Sequence, residues 1–134
     1  MKVIIDTNIL LRYTIGDDAA QAAIAVKIME TSTEVVIPTH VFCEYVWTLR
    51  VRYKQSIEAV AEAIRAIVAT DRIIVNDDEI QAGLLMMDDG GDFADGVTAY
   101  TGSRMASGPA AFASFDKQAV RLLAQRGVSA LVPD

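Results

Sequence analysis

Cysteine and histidine are almost missing from this chain: Cys43 and His40 are the single examples of each in 134 residues. One cysteine excludes an intrachain disulfide framework and makes a reducing cytoplasm the expected compartment. One histidine excludes His-rich zinc sites and leaves Ser-His catalysis a single, unpromising candidate. Long apolar runs are missing as well. Lys2, Asp6 and Arg12 interrupt the N-terminus, and no stretch approaches the roughly 18 residues of a membrane-spanning helix. MKVIID meets an acid too early to be a signal-peptide core, so no membrane association is expected. There is no Gly-rich phosphate loop and no Lys-Ser/Thr Walker pattern. Positive charge is the remaining shortage. Twelve basic side chains stand against 18 acidic ones, a net charge of −6, whereas a protein that coats nucleic acid is basic. Any contact with nucleic acid must be local or made through metal.

Apolar residues and carboxylates are what the chain has in quantity. A hydrophobic share of 52% with 22% charged residues fills a real core, and 134 residues without a linker or repeat read as one domain over 1–134. Lys2–Ile5 is β-branched and reads as a buried strand that empties into a loop at Asp6-Thr7-Asn8. Asp18 and Gln21 have capping-box spacing and open a helix to about Met29. Glu34–Ile37 is a second strand stopped by Pro38, after which Thr39 is expected to cap a helix over His40–Tyr53. Ser56 caps a helix in which Ile57, Val60, Ile64, Ile67 and Val68 recur at helical spacing. A short extended piece, Arg72–Val75, is followed by Asn76 and Glu79, another capping-box pair, opening a helix to about Met87. Gly90-Gly91 reads as a flexible joint. A helix then runs from Asp92 to about Met105, and Ala110–Phe115 is expected to be a buried strand. Lys117–Arg126 is helical with Gly127 at its left-handed cap, and Ala130–Val132 is a last strand. Strands without alternating polarity, separated by helices, predict a three-layer α/β/α domain with a mostly parallel central sheet.

In open α/β sheets ligands bind beyond the carboxyl ends of the strands. Asp6 and Asp116 stand at two such ends; either acid alone reads as a simple turn or helix cap, whereas the pair, from the first and the penultimate strand, makes a shared site more plausible than either does singly. Glu44 lies in VFCEYVW, apolar all round the helix, where an isolated buried carboxylate is costly unless protonated, paired or metal-bound. The alternative is a narrow solvent-facing stripe with Thr48 and Arg52. Asp92 and Asp95 share one face at a helix start, where acids also suit the macrodipole. Asp88 and Asp89 read as loop acids, and Asp77, Asp78 and Glu79 as a helix start. Four acids brought together would repel one another and raise one another's pKa values. A hard divalent cation, Mg²⁺ or Mn²⁺, relieves that repulsion and takes oxygen ligands and substrate phosphate.

The order and setting of VIIDTNILLRY, the Glu44 helix, GGDFADGVTAYTG and FASFDKQAVRLL resemble the PIN-domain ribonucleases, more narrowly the VapC-like toxins of bacterial toxin–antitoxin pairs. The resemblance covers nearly the whole chain. It implies a PIN-like fold and a Mg²⁺- or Mn²⁺-dependent endoribonuclease that leaves a 3′-hydroxyl and a 5′-phosphate. Carried over by motif, the acids are Asp6, Glu44, Asp95 and Asp116, with Asp92 accessory and Thr7, Asn8 and Ser114 as polar positioning residues. Gly96 and Ser114 depart from the family's usual residues, a better helix former and a threonine. RNA-gripping candidates are Arg12, Arg50, Arg52, Lys54 and Arg104, with Tyr53 interleaved; the Arg50–Lys54 run is equally an ordinary helix terminus. The resemblance further implies a structured RNA substrate such as tRNA, a homodimer, and a small antitoxin that seats on an apolar groove. Phe42, Tyr45, Trp47 and Met86-Met87 are possible lining, though such residues are more often core. Two competing functions are a non-catalytic interaction module of the same fold, whose acids only cap helices, and a small metal-dependent phosphohydrolase.

Overall fold

The computed structural model describes residues 1–134 and divides into two compact units, Met1–Asn76 and Asp77–Asp134. The first unit runs β1 (Lys2–Ile4), α1 (Thr7–Thr14), α2 (Ala19–Thr31), β2 (Glu34–Val36), α3 (Thr39–Val51), α4 (Ile57–Val68) and β3 (Ile73–Ile74). Its sheet has the order β1-β2-β3, with both pairs parallel and in the register Val3↔Val35 and Val35↔Ile73. Bonds from Ile5 N–H to the Val36 carbonyl and from Ile37 N–H to the Ile74 carbonyl carry the ladder past the strand ends. The second unit runs α5 (Asp77–Asp88), α6 (Phe93–Met105), β4 (Phe112–Ala113), α7 (Lys117–Gln125) and β5 (Ala130–Leu131), with β4 and β5 parallel. Parallel neighbours joined only through helices give the α/β class that the sequence predicts.

Several local expectations hold. Asp18 accepts from Gln21 N–H at 3.0 Å and caps α2, and Ser56 accepts from Ala59 N–H at 3.1 Å and caps α4. Gly127, at φ +78°, ends α7: Val128 N–H reaches back to the Leu123 carbonyl and Gly127 N–H to that of Ala124, a Schellman cap.

Others are corrected. The segment after Asp6 is not a loop but α1, whose inward residues Leu10 and Leu11 are buried. Thr39 does not cap α3. That place falls to Pro38, whose ring has no hydrogen-bond acceptor to offer, and Thr39 is the first helical residue. Gly90-Gly91 is no loose joint. Gly90, at φ +87°, stands where the α5 carbonyls of Met86 and Met87 accept from Gly91 and Gly90, a second Schellman cap. Neither β1 nor β4 is buried throughout: Ile4 is 77% exposed and Ala113 is exposed. β1 is an edge strand, and β4 belongs to a two-stranded sheet, so each has fewer neighbours than a central strand.

In the first unit the core gathers Leu10, Val35, Phe42, Tyr45, Leu49, Val60 and Ile64, all without exposure, and Phe42 meets Tyr45 edge-on at 6.4 Å. The buried Tyr45 hydroxyl pairs with Thr14 Oγ1 at 2.7 Å, while Thr14 donates to the Leu10 carbonyl. In the second unit α5 and α6 interlock through missing side chains. A Cβ on Gly83 would stand 2.4 Å from the Phe93 ring, and one on Gly96 would stand 2.5 Å from the Ala82 carbonyl oxygen. Gly96, which looks in sequence like a weak point in a helix that carries site residues, is what lets these two helices approach. Met86, Ala99, Ala119, Leu122 and Leu123 complete the core of this unit, with Phe112, Val128 and Ala130 against it.

Candidate metal centre

Asp6 follows β1 and is the N-cap of α1. Its backbone is extended (φ −94°, ψ 179°), and Oδ1 accepts from Ile9 N–H at 3.0 Å. The capping role is therefore real, but it engages only one carboxylate oxygen and leaves an exposed acid at the strand's carboxyl end. Thr7 and Asn8 form the first turn of α1 beside it.

Glu44 is not buried. Along α3, Val41, Phe42, Tyr45, Val46 and Leu49 face the core, while His40, Glu44, Trp47 and Val51 form a solvent-facing stripe. Trp47 is 56% and Val51 45% exposed. The apolar residues round Glu44 in sequence thus divide between a core face and an outer face, and Glu44 falls on the outer one. Phe42, Tyr45, Met86 and Met87 are core residues; of the possible groove residues only Trp47 is exposed.

The second unit gathers three acids. Asp92 is the N-cap of α6, yet its carboxylate makes no capping hydrogen bond. Asp95 sits in the first turn and is half-buried. Asp116 caps α7, with Oδ1 accepting from Ala119 N–H at 3.1 Å, and its own N–H donates to Ser114 Oγ at 3.0 Å. Ser114 therefore positions this acid. Burial, and then the charges of Asp92 and Asp116, push the Asp95 carboxyl above its ordinary value. No basic side chain offsets the repulsion felt by Asp95. Three histidine, cysteine or acidic side chains nowhere stand close enough within either unit to form a finished metal cage. The donors are nonetheless hard carboxylate oxygens, which fit Mg²⁺ or Mn²⁺ rather than a soft-ligand metal.

The basic candidates separate into two groups. Arg12 is held by Asp17 at 2.7 Å and by Gln21 at 2.8 Å, and Tyr53 donates to the same Asp17 at 3.1 Å. Burial alone would push the Asp17 carboxyl up, but the Tyr53 hydrogen bond and the Arg12 charge outweigh it and hold the pKa below its ordinary value. Arg50 donates to the Gln55 carbonyl at 2.8 Å. Arg52, Lys54 and Arg104 are exposed and engage no carboxylate, and the Arg104 guanidinium lies over the Tyr100 ring, 6.0 Å from its centroid. Tyr100 itself is a residue that sequence reasoning passes over, because it sits inside GVTAYTG with nothing to mark it as more than packing.

Strand-end acids at two helix caps, an acidic helix start that falls between them in sequence and parallel α/β topology are accompanied by a match to the family model for the PIN domain over residues 3–122. The chain belongs to the PIN-domain family. No curated protein matches it. PIN domains are typically nucleases that use divalent metal ions. Parallel strands crossed by helices agree with the family's three-layer α/β/α architecture. No helix of this PIN domain is long and apolar enough to cross a membrane.

Proposed function

We propose that this PIN domain is an endoribonuclease dependent on Mg²⁺ or Mn²⁺, with Asp6, Glu44, Asp95 and Asp116 as metal-site acids and Asp92 as an accessory. The observation that carries this reading is the gathering of Asp92, Asp95 and Asp116: burial first, and then the charges of the other two, raise the Asp95 pKa, with no basic side chain to relieve it. When bound, a divalent ion would lower the pKa of a water and take charge from the scissile phosphate. The chain's own contribution is placement. Capping bonds at Ile9 and Ala119 fix Asp6 and Asp116, each with an oxygen left over, and Ser114 steadies the latter. Glu44, exposed on α3, suits a role in orienting the attacking water. Phosphate contacts fall to the uncommitted Arg52, Lys54 and Arg104 rather than to Arg12 or Arg50, which are held internally.

We further propose the biological setting of a toxin: a cytoplasmic homodimer, cleaving a structured RNA such as tRNA and held inactive by a small antitoxin. Trp47 and Val51 support this, since they put exposed apolar surface on the same helix face as Glu44, where a seated partner would screen that acid.

Incubation of purified protein with total RNA, with and without Mg²⁺ or Mn²⁺ and beside Asp6→Asn, tests the chemistry. Cleavage should require the metal and disappear in the variant. Cleavage that survives both chelation and the substitution overturns the metal mechanism. Absence of cleavage together with absence of Mn²⁺ binding favours the interaction module, and cleavage of mononucleotides alone favours the phosphohydrolase.

A further inference from the structure

The second unit contains an open cavity of about 370 Å³ whose lining includes Leu85, Ala99, Tyr100, Ser103, Leu123 and Arg126. That size lies at the low end of ligand pockets, about 300–1,000 Å³, and suits one planar ring system better than an extended ligand. The walls are mostly apolar, with polar groups at a few points. Arg126 is neutralised by a two-pronged bond to Asp89, at 2.7 and 2.9 Å. Residues 77–134 carry nine acidic side chains and only four basic ones. Within that acidic unit Arg104 is a free cation, and it lies over the ring of Tyr100, which forms part of the cavity wall. An aromatic plane with an arginine beside it is how proteins hold an unstacked base while meeting its phosphate. Tyr100 lies five residues beyond Asp95 on α6, about 7.5 Å along the helix axis, a span of roughly two stacked nucleotides at ~3.4 Å each.

We infer that this cavity takes one unpaired nucleobase of the RNA strand, stacked on Tyr100, with Arg104 on the adjoining phosphate. The inference rests on the ribonuclease reading, because it names how that substrate is held. A nucleobase, rather than an apolar peptide side chain, is the occupant that uses both the flat ring and the free cation.

The test measures binding of a short fluorescein-labelled single-stranded RNA by anisotropy in EDTA buffer, where metal-dependent cleavage does not run. A strand of equal length with abasic positions serves as the comparison. The wild type should prefer the base-bearing strand by on the order of tenfold, as expected for one base–aromatic stack. Tyr100→Leu should abolish that preference, Tyr100→Phe should keep it, and Ser103→Phe, which fills the cavity from a second lining residue, should abolish it too. Arg104→Ala should weaken both strands alike. Thermal melts show which variants fold, and two routes to the same loss guard against one failing to do so. Equal affinity for both strands, or no binding of either, overturns the inference. So does a Tyr100→Leu effect confined to self-association, which would make a second copy the occupant. Metal-dependent cleavage with equal affinities sinks the base pocket alone, whereas base preference without any metal-dependent cleavage sinks the ribonuclease reading alone.

Discussion

A carboxyl that keeps its proton more tightly in the folded than in the unfolded chain weakens the fold once it ionises, and Asp95 is in that position. Burial and the charges of Asp92 and Asp116 raise its pKa above the ordinary 3.8. In the window between the two values the folded state binds more protons, so stability falls as pH rises through it and stays lower above it. Asp95→Asn removes the effect. In metal-free buffer at neutral pH the variant should melt higher than wild type, by on the order of 1 °C or more, and the gap should close as pH drops below the ordinary carboxyl value. Melting curves over a pH series check this, and a clear fall in melting temperature at neutral pH counts against a crowded site. The settings of Asp6, Asp95 and Asp116 were legible in the sequence because a strand end or a helix start is marked by its own residues. The exposure of Glu44 was not. Composition around a helical residue says nothing of its azimuth when apolar residues occupy two faces, as Phe42 and Trp47 do.

Helix pairing depends on whether an added methyl group has room, and α6 carries two glycines with opposite answers. A Cβ on Gly96 would meet the Ala82 backbone oxygen at 2.5 Å and Met86 Cβ at 2.8 Å, neither the loose end of a flexible side chain. Gly96→Ala should therefore force α5 and α6 apart and destabilise by about 1–3 kcal/mol. Gly102 has nothing within 4 Å, so Gly102→Ala should stabilise by up to about 1 kcal/mol through helix propensity. Urea denaturation of the two variants should give midpoints on either side of wild type, and equal shifts would refute the packing account. The buried pair of Tyr45 and Thr14 gives a milder case. Burial pushes the Tyr45 hydroxyl pKa up, and its bond to Thr14 is part of how that hydroxyl is satisfied. Tyr45→Phe should cost about 1 kcal/mol, because Thr14 keeps its bond to the Leu10 carbonyl; a loss several times larger would mean the hydroxyl does more than fill this bond. At this scale the capping residues Asp18, Ser56 and Gly127 announced their helix ends through their own chemistry. α1 escaped notice because Asp6-Thr7-Asn8 reads alike as turn and as helix start, and the buried Leu10-Leu11 pair decides between them only through tertiary packing. The close approach at Gly96 was likewise hidden, since it depends on a backbone carbonyl 14 residues away.

For the molecule as a whole, charge is the quantity that function and stability share. A net charge of −6 opposes compaction, and residues 77–134 hold nine acids against four bases. Sodium chloride should stabilise the metal-free protein modestly, since it screens repulsion between all exposed acids without choosing among them. Mn²⁺ at matched ionic strength should stabilise it further if ion binding favours the folded state, by an amount that grows with the logarithm of the free ion concentration once that exceeds Kd; a hundredfold excess is worth about 2.7 kcal/mol. General screening and specific binding are then separable. Asp95→Asn combined with Asp116→Asn should keep the sodium chloride effect and lose the additional Mn²⁺ effect, because the double variant changes the total charge only from −6 to −4 while removing two proposed ligands. Calorimetric melts across both titrations decide the matter. If Mn²⁺ stabilises the double variant as much as wild type, the ion acts as a diffuse counterion to an acidic surface, and the carboxylates around Asp95 are helix-start acids and nothing more.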